Sequence, residues 1–319
     1  MIMKKNFILF MAVVFASFSA QSCLKNENEY EKQKKVDDQI LAEFVQNNAQ
    51  NATRHSAGFY YEKLDGSENA SLPQAGAELK KNDIVTFKYR MSLLNGALIE
   101  TNWGEDNKPE KMKLMTYTVI PEALDHGVNL MKVGETYRFY IPSYLAYGSY
   151  STEEFGPNTN FVIDIKVLGV ESEEQIELAQ LDSIANYIAA SNEDYMELES
   201  GLYLKDSIPG TGGVPFNGSG VVIDFTRKYL DNSVIYNVEG TTLYLDRGMA
   251  VPGLEEGIKL TKEGGTSVLI MPASIGFKQS VSVLPRSARP KLFQDKIINN
   301  NVEPYSILKY VVNLKVVNL

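Results

Sequence analysis

The sequence predicts an α+β fold: two related domains, each an antiparallel half-barrel sheet wrapped around a short helix and each preceded by an amphipathic helix. Three observations carry this. An alternating strand, a helix start at Val119-Ile120-Pro121, a strand ending in Ile141-Pro142 and a small-residue turn bearing Tyr147 occur in that order. The same order returns at Phe225, Ala250-Val251-Pro252, Met271-Pro272 and Phe277. Each copy follows a polar helical stretch that ends in an Asn-rich break and a Gly-aromatic strand, Gly58-Phe59-Tyr60-Tyr61 and Gly201-Leu202-Tyr203-Leu204. A chain of 319 residues with 44% hydrophobic content suits two such cores.

The elements follow in chain order. Val36, Ile40 and Phe44 recur at four-residue spacing and predict one stripe of a helix over residues 30–47. Val85, Phe87, Tyr89 and Met91 alternate with Thr86, Lys88, Arg90 and Ser92, the period of a strand buried on one face. Asn95-Gly96 follows and predicts a type I′ hairpin turn, because both residues tolerate positive φ. Pro121 and Pro252 stand where a first helical turn needs no amide hydrogen, and Leu124, Val128 and Met131 then form one apolar face, matched by Leu254 and Ile258. A second long helix is expected from Ser172 to about Ala190, with Leu178, Leu181, Ile184 or Ala185, and Ile188 on one face and Glu173, Glu174 and Asp182 in water. The resulting division is 23–55 for a tether and first helix, 56–170 for the first domain, 171–195 for a linking helix and 196–319 for the second domain. The second copy alone carries an insertion at about 278–301, which sets Lys278, Arg286, Arg289, Lys291 and Lys296 against Asp295. It reads either as a solvated loop or as a basic patch for a partner.

The lead of the chain, residues 1–22, has the pattern of a secretion signal: Lys4 and Lys5 precede an apolar run from Phe7 to Phe18, shorter than the about 20 residues a membrane span needs. The single cysteine, Cys23, closes Ala20-Gln21-Ser22-Cys23, which resembles a bacterial lipobox, so lipidation at Cys23 is expected. Acyl chains contribute roughly 0.8 kcal/mol per buried methylene, enough for two or more to anchor a protein to a membrane. The reading is an exported bacterial lipoprotein facing the periplasm or the cell surface, with no intramolecular disulfide. A net charge of -9 argues against a nucleic-acid partner. His55 and His126 are the only histidines, far apart and without cysteine partners, so no metal and no cofactor are expected.

The ordered pieces resemble the FKBP-type peptidyl-prolyl isomerases, and they do so twice. The first copy is NDIVTFKYRMSLLNGALIETN, VIPEALDHGVNLMKVGETYRFYIPSYLAYG and GPNTNFVIDIKVLGV; the second is VVIDFTRKYLDNSVIYN, AVPGLEEGIKLTKEGGTSVLIMPASIGF and EPYSILKYVVNLKVV. The resemblance implies a pocket for proline-containing polypeptide clients. In the first domain it assigns a reactive set of Tyr89, Glu100, Ile120 and Tyr147, lined by Ile99, Val119, Leu124, Phe155 and Ile163. In the second it assigns Phe225, Tyr236, Asn237, Val251, Leu254, Phe277, Val302 and Tyr310, with Ile99-Glu100 matched to Tyr236-Asn237. The first copy keeps the hydroxyls of Tyr89 and Tyr147 and the acid Glu100, and the second has lost them.

Uncatalysed rotation of an Xaa-Pro bond takes tens to hundreds of seconds, because amide resonance must be broken. A thousandfold acceleration requires roughly 4 kcal/mol of differential stabilisation. A dry apolar bowl with a few donors could supply it, donors of oxyanion type being worth about 3 kcal/mol. The expectation is therefore prolyl isomerisation centred on the first domain, with hollows wide enough to admit a prolyl ring. The rival expectations are a non-catalytic chaperone and a surface lipoprotein that binds a partner through the insertion.

Overall fold

The computed structural model describes residues 28–64 and 69–318. The expected signal segment 1–22 and the expected lipidation site Cys23 lie outside the described residues. Helix α1 (Glu29–Asn48) starts at an Asn28 cap, whose side chain accepts from the Glu31 amide and so satisfies one of the donors a helix start leaves open. Its buried stripe is Asp37, Leu41 and Val45. This corrects the expected Val36–Ile40–Phe44 stripe by one residue: Val36 and Ile40 are 48% and 42% exposed. The polar Asp37 lies inward because Ser143 Oγ donates to it at 2.6 Å, a bond that no hydrophobic periodicity registers.

The first sheet comprises β1 (Thr53–Arg54), β2 (Tyr60–Lys63), β3 (Ile84–Leu93), β4 (Leu98–Thr101) and β5 (Glu110–Lys113), and then, beyond the two-residue β6 (Val119–Ile120), β7 (Thr136–Ile141) and β8 (Phe161–Glu171). Its strand order is β1-β2-β7-β8-β3-β4, with β5 also paired to β3. All of these pairings are antiparallel. Val85, Phe87, Tyr89 and Met91 are each no more than 0% exposed, the core face that the alternation predicts. Against that face lies α2 (Ala123–Gly127), continued by a turn through Val128, with Leu124, Val128 and Met131 buried. Between β3 and β4 only Gly96 takes positive φ, at 86°, while Asn95 does not. The turn is therefore the three-residue form with Gly in the left-handed position, and not the expected type I′.

Helix α3 (Glu173–Ser191) begins in a capping box, Ser172 and Gln175 bonding reciprocally. It buries Ile176, Gln180 and Ile184, whereas Leu178, expected inward, is 59% exposed. Gln180 explains the shift: its Nε2 donates to the Tyr305 carbonyl at 2.6 Å and its Oε1 accepts from the Ala273 amide at 2.7 Å. The two long helices are thus used alike. Each sends one buried polar side chain to the turn after a strand-Pro junction of the domain that follows it, Ser143 for α1 and Ala273 for α3.

The second sheet comprises β9 (Met196–Glu197), β10 (Tyr203–Ile208), β11 (Gly220–Tyr229), β12 (Val234–Tyr244), β13 (Thr266–Met271) and, beyond the short β14 (Ser282–Val283), β15 (Leu308–Val317), in the order β12-β11-β15-β13-β10-β9. Across it runs α4 (Pro252–Leu260), with Pro252 at its first turn and Leu254 and Ile258 buried. The Ile120–Pro121 and Leu284–Pro285 peptide bonds are cis. No helix among the described residues is long and apolar enough to cross a membrane.

The insertion is not a solvated loop. It contains β14, a turn over Arg286–Ala288 and helix α5 (Arg289–Gln294), and packs Val283, Ala288, Leu292 and Ile298 into a small core of their own. Several of its basic residues are also engaged within the protein, while Lys278 and Lys296 are exposed. Arg289 is 4% exposed and donates to the Val302 carbonyl at 2.9 Å, Arg286 pairs with Glu110, and Lys291 pairs with Asp295 at 2.7 Å. The histidines are corrected as well: distant in sequence, the rings of His55 and His126 lie stacked with centroids 6.2 Å apart.

Candidate functional site

In the first domain the sheet and helix bring the expected residues around one hollow. Tyr89 projects from β3 into the core and is 0% exposed. A bulge in the β3–β4 pairing leaves Ile99 unpaired between Glu100, opposite Met91, and Leu98, opposite Ser92. This lets Ile99 pack against the core while Glu100 receives the hydroxyl of Tyr89 in a hydrogen bond. Val119, Leu124, Phe155 and Ile163 are all buried, and Ile120 forms the half-buried rim. The Tyr147 ring lies tilted at 46° to Phe155 with centroids 4.6 Å apart, and Phe155 meets Phe161 edge-on at 5.1 Å. Burial holds the Tyr147 phenol far above its ordinary range, so it remains a donor throughout physiological pH.

The hollow is filled by the chain's own insertion. β14 lies parallel to β6, with Ser282 opposite Val119 and Val283 opposite Ile120. The Ser282 amide donates to the Thr118 carbonyl and the Leu284 amide to the Ile120 carbonyl, both at 2.8 Å. Leu284 is 0% exposed and belongs to the first domain's core, and Pro285 is buried after it. The carbonyl joining Leu284 to Pro285 accepts the Tyr147 hydroxyl at 2.9 Å. Beyond the proline, the Arg286 amide donates to Glu100 Oε1 at 2.8 Å and the Ser287 amide to Glu100 Oε2 at 3.1 Å. The expected open hollow is therefore corrected: Leu284 occupies it, and Pro285 is buried between the carbonyl that Tyr147 holds and the amide that Glu100 holds.

The second domain's equivalent is closed differently. Arg227, two residues after Phe225 on β11, holds its guanidinium carbon 4.5 Å from the ring centre of Phe277, 5.3 Å from Tyr310, 5.7 Å from Tyr236 and 5.8 Å from Phe225. Its Nε donates to the Tyr310 hydroxyl at 2.7 Å. The four rings expected to grip a ligand thus surround a cation of the same domain. Val251 is half-buried, while Leu254 and Val302 are buried in the core beneath. Asn237 is corrected: it is exposed and its Oδ1 accepts from Thr226 on the outer face. The register shows why. Tyr236 lies opposite Arg227 as Glu100 lies opposite Met91, so Tyr236, and not Asn237, is the counterpart of Glu100. A one-residue slip in matching two strands exchanges their faces.

A family model for FKBP-type peptidyl-prolyl cis-trans isomerases matches residues 76–168 and again 212–315. The chain belongs to that family. Among curated relatives, the FKBP-type peptidyl-prolyl cis-trans isomerase FkpA of Aeromonas hydrophila is 32% identical over 96 residues, 30% of this chain and 34% of that protein. Peptidyl-prolyl cis-trans isomerase FKBP9 of Homo sapiens is 25% identical over 211 residues, 64% of this chain and 32% of that protein. Outer membrane protein MIP of Legionella longbeachae is 28% identical over 116 residues, 36% of this chain and 45% of that protein. The chain spans about a third of the length of the first two relatives.

Sequence reasoning missed four features of these FKBP domains. Phe161 shares the inward parity of Ile163 and Ile165 on β8, a signal that was present. Arg227 shares the inward parity of Val221, Ile223 and Phe225, so its position on the core face was also readable. Glu110, 4% exposed on β5, and the Leu284-Pro285-Arg286 run carried no comparable signal, because their meeting depends on how one FKBP domain sits against the other.

Proposed function

We propose that the first FKBP domain isomerises prolyl peptide bonds and that the second is a non-catalytic scaffold. The observation that carries this reading is the Tyr147 hydroxyl donating to the carbonyl of a Leu-Pro peptide bond lodged in the hollow. A planar amide is the more charge-separated form and loses more than the twisted form when water is replaced by apolar walls, so a dry pocket lowers the barrier. The walls here are Phe155, Phe161, Leu124 and Ile163. The polypeptide is held on both sides of the bond that must rotate: before the proline by the Thr118 and Ile120 carbonyls, after it by Glu100. Tyr147 restrains the carbonyl between them. Nothing is attacked and no cofactor is needed.

The scaffold role of the second domain is supported by Arg227, which occupies its aromatic box. Export and attachment to a membrane through lipidated Cys23 belong to the same proposal, supported by the lipobox-like Ala20-Gln21-Ser22-Cys23 and by a relative named as an outer membrane protein. The clients would then be exported proteins in the course of folding. Exchange spectroscopy on a short Leu-Pro peptide with substoichiometric full-length protein tests the activity. Faster cis-trans exchange, diminished in Tyr147→Phe, is expected. Exchange at the uncatalysed rate, even in a chain whose docked segment has been released by Leu284→Asp, would sink it.

A further inference from the structure

The segment from Ser282 to Ser287 meets the first FKBP domain as a bound peptide would. It adds a strand beside β6, seats the Leu284 side chain in the hollow with Pro285 buried after it, and is hydrogen-bonded at the Leu284 carbonyl before the proline and at the amides beyond it. This is strand addition, in which main-chain bonds give affinity and pockets give selectivity. One further contact lies outside the reactive set. The Arg286 guanidinium forms a close ion pair with Glu110, and its Nη2 donates to the Lys108 carbonyl at 3.0 Å. Glu110 is 5% exposed along its side chain, and its carboxylate has no role in pairing the sheet. A buried carboxylate at this place is costly unless a cation comes to it.

We propose that Val283–Arg286 is an internal pseudosubstrate of the first FKBP domain, and that it reports the ligand class of this pocket: an aliphatic residue and a proline followed by a basic residue read by Glu110. A client therefore gains the pocket only by displacing the segment. The inference rests on the reading of the hollow as a prolyl-peptide site. Displacement is opposed by tethering. Both ends of the insertion return to the second domain, so the segment competes at an effective concentration of about millimolar, and any free peptide is weakened in proportion. An open crevice of about 540 Å³ beside the docked segment, lined by Tyr117, Ile120, Tyr147, Tyr150, Leu292 and Ile297, leaves room for an incoming chain to begin the exchange.

The test uses full-length protein and a fluorescein-labelled Val-Leu-Pro-Arg-Ser peptide, with binding read by anisotropy. Three chains are compared: the natural one, Leu284→Asp, and one whose residues 282–287 are replaced by a Gly-Ser linker that cannot redock. At least tenfold tighter binding to both altered chains is expected. Changing Arg to Glu in the peptide should weaken binding to the linker chain about tenfold, and Glu110→Gln should abolish that preference. Equal affinity for the natural and linker chains overturns the occupancy, and indifference to the charge after proline overturns the basic subsite. Should the linker chain bind more tightly yet leave exchange at the uncatalysed rate, the isomerase reading fails while this inference stands. Should all three chains accelerate exchange equally, the inference fails and the isomerase reading stands.

Discussion

The Tyr147 hydroxyl donates to the Leu284 carbonyl across 2.9 Å, joining positions 137 residues apart in the chain. One side chain of the first domain thereby holds the peptide bond that precedes a proline of the second. Tyr147→Phe deletes the donor and leaves a buried carbonyl without it. The loss is about 1 kcal/mol, or some fivefold in affinity. In the linker chain, anisotropy with the labelled peptide should show that drop, with the thermal midpoint of the chain nearly unchanged.

Two helix glycines set the distance between helix and sheet. A Cβ on Gly257 would come 2.4 Å from Leu269 Cδ1, and one on Gly127 would come 2.6 Å from Phe139 Cε1. Alanine is the better helix former by about 1 kcal/mol. Overpacking a filled core costs about 1–3 kcal/mol, so the clash should win at both positions. Gly257→Ala and Gly127→Ala are each expected to lower the urea midpoint.

Arg227 and Tyr310 form a second testable pair. Burial raises the Tyr310 phenol above its ordinary range, so it is a neutral hydroxyl that needs a partner, which Arg227 Nε provides. Arg227→Met, which restores the residue type of Met91, strands that hydroxyl at a cost of about 1–3 kcal/mol. Adding Tyr310→Phe removes the stranded group and should recover most of the loss, a coupling that a double-mutant cycle in urea measures.

Acid should loosen helix α1. Burial alone would raise the Asp38 carboxyl, but hydrogen bonds from Lys34 and Tyr144, with the charges of Lys34 and Arg54, hold it below the usual carboxylate range. A carboxyl depressed in the folded state contributes stability that is complete above its unfolded value, and loses it as pH falls through the folded one. Below about pH 4 the contacts of Asp38 with Lys34, Arg54 and Tyr144 should therefore fade. Amide exchange along Glu29–Asn48 is expected to rise there, and in Asp38→Asn that acid dependence should be reduced.

Much of the fold was legible because sheet parity and helix starts are local. The core face of β3, the short helices after Pro121 and Pro252 and the start of the second long helix near Ser172 all follow from spacing within one segment. The long helices were legible in position but misjudged in orientation. Their buried faces are decided by Asp37 and Gln180, polar residues that turn inward only because Ser143, Ala273 and Tyr305 await them. In the candidate site, the residues named for the first domain do gather around its hollow, while Phe161 and Arg227, each contributed by a domain to its own hollow, were missed. Asn237 was misplaced by one position: both copies bulge at the same place, leaving Ile99 and Ile235 unpaired, so Tyr236 corresponds to Glu100.

By itself the sequence determined that this chain has two FKBP cores and which of them keeps two tyrosine hydroxyls and an acid, since periodicity and motif order are properties of short stretches. Only the tertiary structure decided what lies in the hollows. Arg227 enters one because its strand parity turns it towards four rings. Leu284 and Pro285 enter the other because the second domain's insertion reaches β6 and extends it by a strand. The second contact joins residues far apart in the chain through backbone hydrogen bonds that any residue but proline can donate, and so leaves no mark in residue order, whereas the strand parity of Arg227 does.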